Sequence, residues 1–311
     1  MRGKKFTPQL AEFHSFFSKR RVIITGADGF IGGHLRDVLV SLNAKVYGIN
    51  RSAKANINNY KSISTDLSNL KDLQSAIDTI QPETIFHLAG KVTGRQNIEL
   101  VYPTLQDNLI GTINLLLASS NNTGIRRIIT VGSAEETINS TPNSPYSVSK
   151  TAVALYTKMF HQIYSLPIVT AKLFMVYGPH QQEDKLIPYS IISLLKGKFP
   201  QITSKDRLVD LIYISDVVRG LLLTATYPGI EGQTFEFGTG ESVKIKQIIK
   251  TLTSISGNAT KIKAENPIHR IQEKNLVANI NKTKKILGWV PEWTLRDGLW
   301  ETFNWYQKHL I

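Results

Sequence analysis

The 311-residue sequence contains no cysteine. That excludes a disulfide framework and any thiolate metal site, and it fits a reducing, cytoplasmic setting. No apolar run is long enough to cross a bilayer, so no membrane partner is expected. The stretch from Met1 to Arg21 has basic residues and scattered phenylalanine but lacks the apolar core and cleavage site of a secretory signal. The formal net charge is +13. Yet the lysines and arginines are spread along the chain rather than clustered with aromatics. Helix-turn-helix, zinc-finger and RNP patterns are missing too, so no nucleic acid is expected. The excess charge then fits either a generally basic surface or a small substrate carrying phosphates.

With 41% hydrophobic residues, the chain has enough material for one large domain or two unequal ones. Through the first 175 residues, short β-branched runs alternate with segments of helical periodicity. Val22–Thr25, Lys45–Ile49, Ile63–Leu67, Thr84–His87, Arg127–Val131 and Pro167–Phe174 read as strands. Leu35–Leu42, Leu70–Ile80, Leu105–Ser120 and Tyr146–Tyr164 read as helices. This order predicts an α/β fold, a doubly wound parallel sheet of the Rossmann kind. After Tyr177-Gly178-Pro179 the pattern loosens, with a helix from Ser215 to Thr226 capped by Ser215 and a last helix over Leu295–Leu310. The expected division is a dinucleotide-binding domain over 20–174 and a smaller substrate-binding lobe over 175–311. Segments around 210–240 return to the first domain. The first twenty residues fit an extra helix on the sheet, a dimer contact or disorder equally well.

Gly26, Gly29 and Gly32 form G-x-x-G-x-x-G between a strand and a helix. The first glycine permits the tight turn, the second lets a pyrophosphate approach the backbone, and the third lets helix and strand pack closely. The helix N-terminus then presents free N–H groups and its positive dipole end to the anion. Nicotinamide sites that prefer NAD place a carboxylate at the end of the second strand, whereas this chain has Asn50-Arg51-Ser52. Nothing there repels a 2′-phosphate and Arg51 can pair with one, which favours NADP(H) over NAD(H). The alternative is a solvated Arg51 with the ribose held by Asn50. Asp66-Leu67 is placed to meet the adenine edge, or Asp66 simply forms a turn.

Tyr146 and Lys150 are four residues apart, on one face of a helix. A nearby ammonium favours tyrosinate and so is expected to lower the phenol's pKa, making Tyr146 a proton donor or acceptor for a carbonyl/alcohol pair. Ser133 follows a buried strand, so its hydroxyl is expected at the C-terminal edge of the sheet, within reach of the substrate oxygen.

These motifs resemble those of the extended short-chain dehydrogenases/reductases of the nucleotide-sugar epimerase/dehydratase group. The resemblance is carried by Thr25-Gly26-Ala27-Asp28-Gly29-Phe30-Ile31-Gly32, His87-Leu88-Ala89-Gly90, Asn108 with Gly111-Thr112, Gly132-Ser133 and Pro145-Tyr146-Ser147-Val148-Ser149-Lys150. It continues through Val176-Tyr177-Gly178-Pro179, Ile212-Tyr213-Ile214-Ser215-Asp216-Val217 and Leu287-Gly288-Trp289-Val290-Pro291. It implies a nucleoside-diphosphate sugar substrate held mainly by the C-terminal lobe. It also implies a homodimer formed through the Leu105–Ser120 and Tyr146–Tyr164 helices. Lys91, Phe174 and Val176 join the implied cofactor contacts. Met175, His180, Arg207, His269 and Arg270 are the candidate substrate contacts; His180 fits a turn cap as well, and His269 and Arg270 a mobile loop.

The group's dehydratases resemble one another in a Thr-Asp-Glu run, with Asp and Glu as acid and base. Here the run is Ser133-Ala134-Glu135-Glu136, and the methyl of Ala134 cannot protonate a leaving hydroxyl. Glu135 remains as a base for epimerisation, or as a plain loop charge. The cofactor reading tips the expectation to an NADPH-dependent reductase of a 4-keto-6-deoxy sugar. A nucleotide-sugar epimerase is the alternative, and a non-catalytic dinucleotide-binding regulator the second. Departures from the family pattern fall in the substrate half: Thr137-Ile138 for a common Tyr-Gly, Met175 for an Asn, and Arg207 two residues upstream of the usual position.

Overall fold

The structure, a computed structural model, describes residues 7–52, 56, 59–136, 141–202, 204–257 and 276–310. The chain divides into two compact units, Met1–Lys172 with Val218–Phe235, and Leu173–Val217 with Glu236–Ile311.

The first unit begins with helix α1 (Thr7–Phe17), strand β1 (Arg21–Thr25), helix α2 (Phe30–Ser41) and strands β2 (Lys45–Asn50) and β3 (Tyr60–Ser64). Helix α3 (Leu70–Ile80), strand β4 (Thr84–His87), a short α4 (Val101–Thr104) and α5 (Gly111–Ser120) follow. Strand β5 (Arg127–Ser133), helix α6 (Pro145–Tyr164) and strand β6 (Ile168–Leu173) complete the run. Further on come β7 (Met175–Tyr177), α7 (Leu186–Leu195), β8 (Leu208–Val209), β9 (Leu211–Tyr213), α8 (Ile214–Thr226) and β10 (Thr234–Phe237). The chain ends with β11 (Val243–Lys244), α9 (Ile245–Ser256), α10 (Asn281–Leu287) and α11 (Leu295–Leu310).

The central sheet has seven strands in the order β10-β6-β5-β4-β1-β2-β3. The pairs β1–β2, β1–β4, β2–β3 and β4–β5 are all parallel. The order reverses between β1 and β4, and a doubly wound sheet binds its ligand at the carboxyl ends of the strands beside such a switch. Continuous apolar runs make β1, β4 and β5 buried nearly throughout, whereas β2 and the edge strand β3 are partly exposed. On one face Ile23, Ile85 and Ile128 pack with Leu73, Ile77, Leu115 and Phe160 from α3, α5 and α6. Of the first twenty residues, 7–17 form helix α1, which buries Phe13 and Phe17, with Phe17 6.4 Å from Phe86 of β4.

Two sequence expectations need correcting. The segment Leu105–Ser120 is not one α-helix, because Leu105–Ile110 is wound as a π-helix between α4 and α5. A π turn carries one extra residue, and here that extra residue lets Asn108 turn its side chain inward. Likewise Ser215 does not cap its helix: β9 runs directly into α8, whose first residue is Ile214. Helix α6 begins one residue before the expected Tyr146. Pro145 occupies its first turn, and Ser144 and Ser147 exchange a reciprocal capping box.

Within the second unit, β7 pairs in parallel with β9, and β8 pairs antiparallel with β11. Two buried carboxylates tie its loops together. Asp210 accepts from the Thr239 N–H and hydroxyl and from the N–H groups of Gly240 and Ala278. Asp216 accepts from the N–H groups of Glu292 and Trp293, while its own carbonyl takes the indole N–H of the fully buried Trp289. Both are therefore structural anchors.

Candidate active site

The glycine loop lies at the carboxyl end of β1. Gly26 has a φ of +70°, and a Cβ on it would come within 3.0 Å of the Ala89 backbone. Gly29 precedes α2 as its cap and supplies no side chain to the helix's first N–H groups. Those donors, around Phe30, Ile31 and Gly32, are left for an anion. The loop therefore fits a pyrophosphate by its bare backbone and its dipole. The Asp28 carboxylate takes Arg36 at 3.1 Å and the Tyr60 hydroxyl at 3.2 Å.

At the end of β2 the Asn50 amide is already engaged. Its oxygen accepts from the Asp28 N–H, and its nitrogen donates to Tyr60 and Ser62 at 3.3 Å. Arg51 is the outlying group, with a side chain 77% exposed and one carboxylate, that of Asp107, at 3.6 Å. An exposed pair of that length holds an arginine weakly. Ser52 is exposed next to it. Asp66 turns its carboxylate onto the Ser68 N–H, the turn-forming alternative, and the Leu67 carbonyl accepts from Asn114.

Strand β5 and helix α6 bring together Ser133, Tyr146 and Lys150. The Ser133 and Tyr146 hydroxyls are hydrogen bonded, and both residues are buried. The Lys150 ammonium donates to the Val131 carbonyl at 2.8 Å. Burial lowers the Lys150 pKa to about 8, against the pull of Glu136 in the opposite direction. The expected lowering of the Tyr146 pKa is not what the structure has. Burial pushes the phenol well above its ordinary value, Ser133 draws it partly back, and Glu135 and Glu136 push it further up. Tyr146 is thus a neutral phenol, a proton donor as it stands.

Asn108 pins the rim of the site. Its side chain accepts from the Lys91 N–H at 2.7 Å and donates to the Lys91 carbonyl and to Ser149 of α6. Gly90 makes room for it: a Cβ there would lie 2.9 Å from the amide oxygen. Leu88 and Ala89 hang on Thr25, the first by its carbonyl and the second by its hydroxyl.

Sequence reasoning quoted Thr25, His87 and Glu136 within motifs but gave them no role, and it did not single out Lys172. The His87 ring bridges the Thr25 and Thr112 hydroxyls, 2.8 Å to each. Burial, with the charge of Lys150, lowers its pKa to about 3, so it stays neutral. The Glu136 carboxylate folds back under the end of β5, accepts from the Ser133 N–H at 2.7 Å, and lies 3.9 Å from the Lys172 ammonium. A signal was present in the second consecutive glutamate after Ser133. Only the fold shows that it is buried.

The other candidates belong to the second unit. Phe174, Met175 and Val176 lie at and just before β7, partly buried. His180 is exposed in a left-handed turn, its ring 4.3 Å from that of Trp305. Arg207 lies in the turn before β8, its carbonyl taking the Ile245 N–H. His269, Arg270, Thr137 and Ile138 fall outside the described residues.

Residues 22–238 match the NAD dependent epimerase/dehydratase family. A UDP-glucuronate 4-epimerase of Thermodesulfobacterium geofontis (strain OPF15) is 26% identical over 319 residues, covering 93% of this chain and 96% of its own. A probable dTDP-glucose 4,6-dehydratase of Sinorhizobium fredii is also 26% identical, over 93% of each chain. Among solved structures, a mutant UDP-glucuronic acid 4-epimerase from Bacillus cereus in complex with UDP-4-deoxy-4-fluoro-glucuronic acid and NAD has a TM-score of 0.83. It is 25% identical and covers 94% of this chain and 100% of that one. The chain, with its glycine loop, its parallel sheet and its Ser133, Tyr146 and Lys150, belongs to the NAD dependent epimerase/dehydratase family of the extended short-chain dehydrogenases/reductases.

Proposed function

We propose that the protein reduces the 4-keto group of a nucleoside-diphosphate 4-keto-6-deoxy sugar, with NADPH as the preferred reductant. The observation that carries this reading is the neutral Tyr146 phenol beside Ser133. A ketone being reduced needs a proton at its oxygen, and Tyr146 is held in the form that gives one. Reduced nicotinamide, when bound, supplies the hydride to the sugar's C4. Tyr146 donates its proton to the C4 oxygen as negative charge develops there, and Ser133 steadies that oxygen through its hydroxyl. The Lys150 ammonium stabilises the tyrosinate left behind, which regains its proton from solvent. Ketone, NADPH and one proton become alcohol and NADP⁺.

The preference for NADPH rests on Arg51 and on the lack of a carboxylate at Asn50-Arg51-Ser52. Dehydration is disfavoured because Ala134 offers no acid to a departing hydroxyl. In this reading the sugar contacts come from Met175, His180, Arg207, His269 and Arg270, and the remaining cofactor contacts from Phe174 and Val176. Residues 20–174 bind the dinucleotide and the later segments bind the sugar. The active form is a homodimer in the cytoplasm. Epimerisation at C4 is the second reading. It is favoured by the likeness to UDP-glucuronate 4-epimerases and by the NAD held in the Bacillus cereus structure.

The deciding experiment mixes purified protein and NADPH with a panel of nucleotide-linked 4-keto-6-deoxy sugars and follows the reduced-nicotinamide absorbance. Stoichiometric loss with one sugar supports the reductase. Unchanged absorbance with a UDP-sugar inverted at C4, seen by NMR, overturns it in favour of the epimerase.

A further inference from the structure

Outside the groups that touch the reacting atoms, the site holds one buried acid that the chemistry above does not use. Glu136 is a carboxylate with a side chain 6% exposed. Its Oε1 accepts from the Ser133 N–H at 2.7 Å, and its Oε2 lies 3.9 Å from the Lys172 ammonium on β6. The neighbouring residue accommodates it. A Cβ on Gly132 would lie 2.5 Å from the Glu136 Oε1, so only glycine leaves space for the acid there. One residue further back along β5, the Val131 carbonyl holds the Lys150 ammonium. Three consecutive positions of β5 therefore carry the lysine, the space for the acid and the catalytic hydroxyl.

We propose that Glu136 is a positioning residue: its carboxylate fixes the backbone that aims Ser133 and, as a counter-charge shared with Lys172, holds Lys150 as an ammonium. The proposal rests on the reading of Lys150 and Tyr146 given above. A cation in a buried site is costly unless an anion accompanies it. The groups whose charge bears on Lys150 come from each side. Glu136 lies on the loop after β5, Lys172 on β6, His87 on β4 and Tyr146 one turn earlier on α6, with Glu135 beside Tyr146. His87 stays neutral and Tyr146 stays protonated. That leaves Glu136 as the anion whose charge raises the Lys150 pKa, opposing the loss of its proton that burial favours. Lys172 limits the effect by drawing on the same carboxylate.

The test is a titration of the full chain labelled with ε-13C-lysine, the Lys150 signal being assigned by its loss in Lys150→Arg. Wild type should titrate near pH 8. Glu136→Gln keeps the shape and an acceptor for the Ser133 N–H but removes the charge. It should lower the Lys150 midpoint by about one pH unit or more. Lys172→Met should raise the midpoint, and the double variant, which lacks the carboxylate on which Lys172 draws, should titrate with Glu136→Gln. A Lys150 midpoint that does not move in either single variant overturns the proposal, whether or not the protein turns over a sugar. The expected shifts in a protein that reduces none of the sugars tested would sustain the role of Glu136 and count against the reductase reading alone. Where turnover is measurable, its alkaline limb should move with the NMR midpoint.

Discussion

Gly32 stands so close to Gly26 that a Cβ on it would lie 2.1 Å from the Gly26 carbonyl oxygen. No rotamer relieves that overlap, because the Gly32 backbone fixes the Cβ and the oxygen it meets belongs to the Gly26 backbone. Gly32→Ala should force the loop apart, destabilise the first unit by about 1–3 kcal/mol and weaken cofactor binding at least tenfold, on the order of other overpacked sites. Gly33→Ala is the control one residue along. Its Cβ would meet nothing nearer than 3.9 Å, and alanine is the better helix former. Thermal melts and nicotinamide fluorescence titrations of the two variants should diverge. Equal behaviour would mean that the glycine packing is not what shapes the loop.

Tyr146→Phe removes the proposed proton donor and leaves the ring. Turnover should fall by about 10²- to 10⁴-fold, the usual worth of a general acid. Cofactor affinity should change little, since in the proposed reaction the phenol donates to the sugar. Rapid-mixing kinetics with saturating NADPH would separate the two, and a variant as active as wild type would remove Tyr146 from the mechanism.

The pH dependence follows from Lys150. Its pKa is lowered from 10.5 to about 8, so the ammonium is present below that and lost above it. Turnover should therefore decline as pH rises through 8. Stability moves the other way. Between about 8 and 10.5 the unfolded chain binds the extra proton at Lys150, so this residue's contribution to stability improves with rising pH there. A rate that falls while this contribution improves cannot be assigned to unfolding through Lys150. Paired rate and denaturant measurements across the window should show the separation.

Much of the framework was readable in the residues because it is local. The β-branched run Val22–Thr25, the glycine spacing after it and the Tyr146/Lys150 pair within one helical turn each declare themselves within a few positions. What was missed is long-range. The pairs His87–Thr25 and Glu136–Lys172 join positions far apart in the chain, and nothing in Glu135-Glu136 says which acid turns inward. The π-helix over Leu105–Ile110 was missed for a related reason. Apolar periodicity reports the buried face, whereas the extra residue goes with contacts of Asn108 to Lys91 and Ser149, which are distant in sequence. The phenol of Tyr146 was misjudged because helical spacing revealed Lys150 but not the burial and the two carboxylates that outweigh it.

In the proposed reading Arg51 sets the choice between cofactors. Its side chain is largely in solvent and spends only a 3.6 Å pair on Asp107, so swinging it onto a 2′-phosphate costs little. Charge-assisted bonds of this kind contribute about 1.5–3 kcal/mol. Arg51→Ala should thus lower the ratio of kcat/KM for NADPH over NADH by about 10- to 100-fold, through the NADPH value. An unchanged ratio would remove Arg51 from the site and return the ribose to Asn50.

His87 should make the protein sensitive to acid. The ring is buried between two hydroxyls and keeps its neutral form down to about pH 3, against an ordinary value of 6.5. Below 6.5 the unfolded chain takes up a proton that the folded chain refuses. Stability therefore falls as pH falls from 6.5 towards 3, by up to about 4–5 kcal/mol from this residue alone. Carboxylates contribute their own slopes in the same range, so wild type by itself cannot isolate the histidine. His87→Gln retains an amide that can serve both threonines and has no proton to gain. Its urea midpoint should be lower than that of wild type at pH 7, where the fitted imidazole is lost, and the two curves should approach each other or cross by pH 4. Parallel curves would show that the ring is reached by water, and would also remove the neutral partner on which the electrostatics around Lys150 depend.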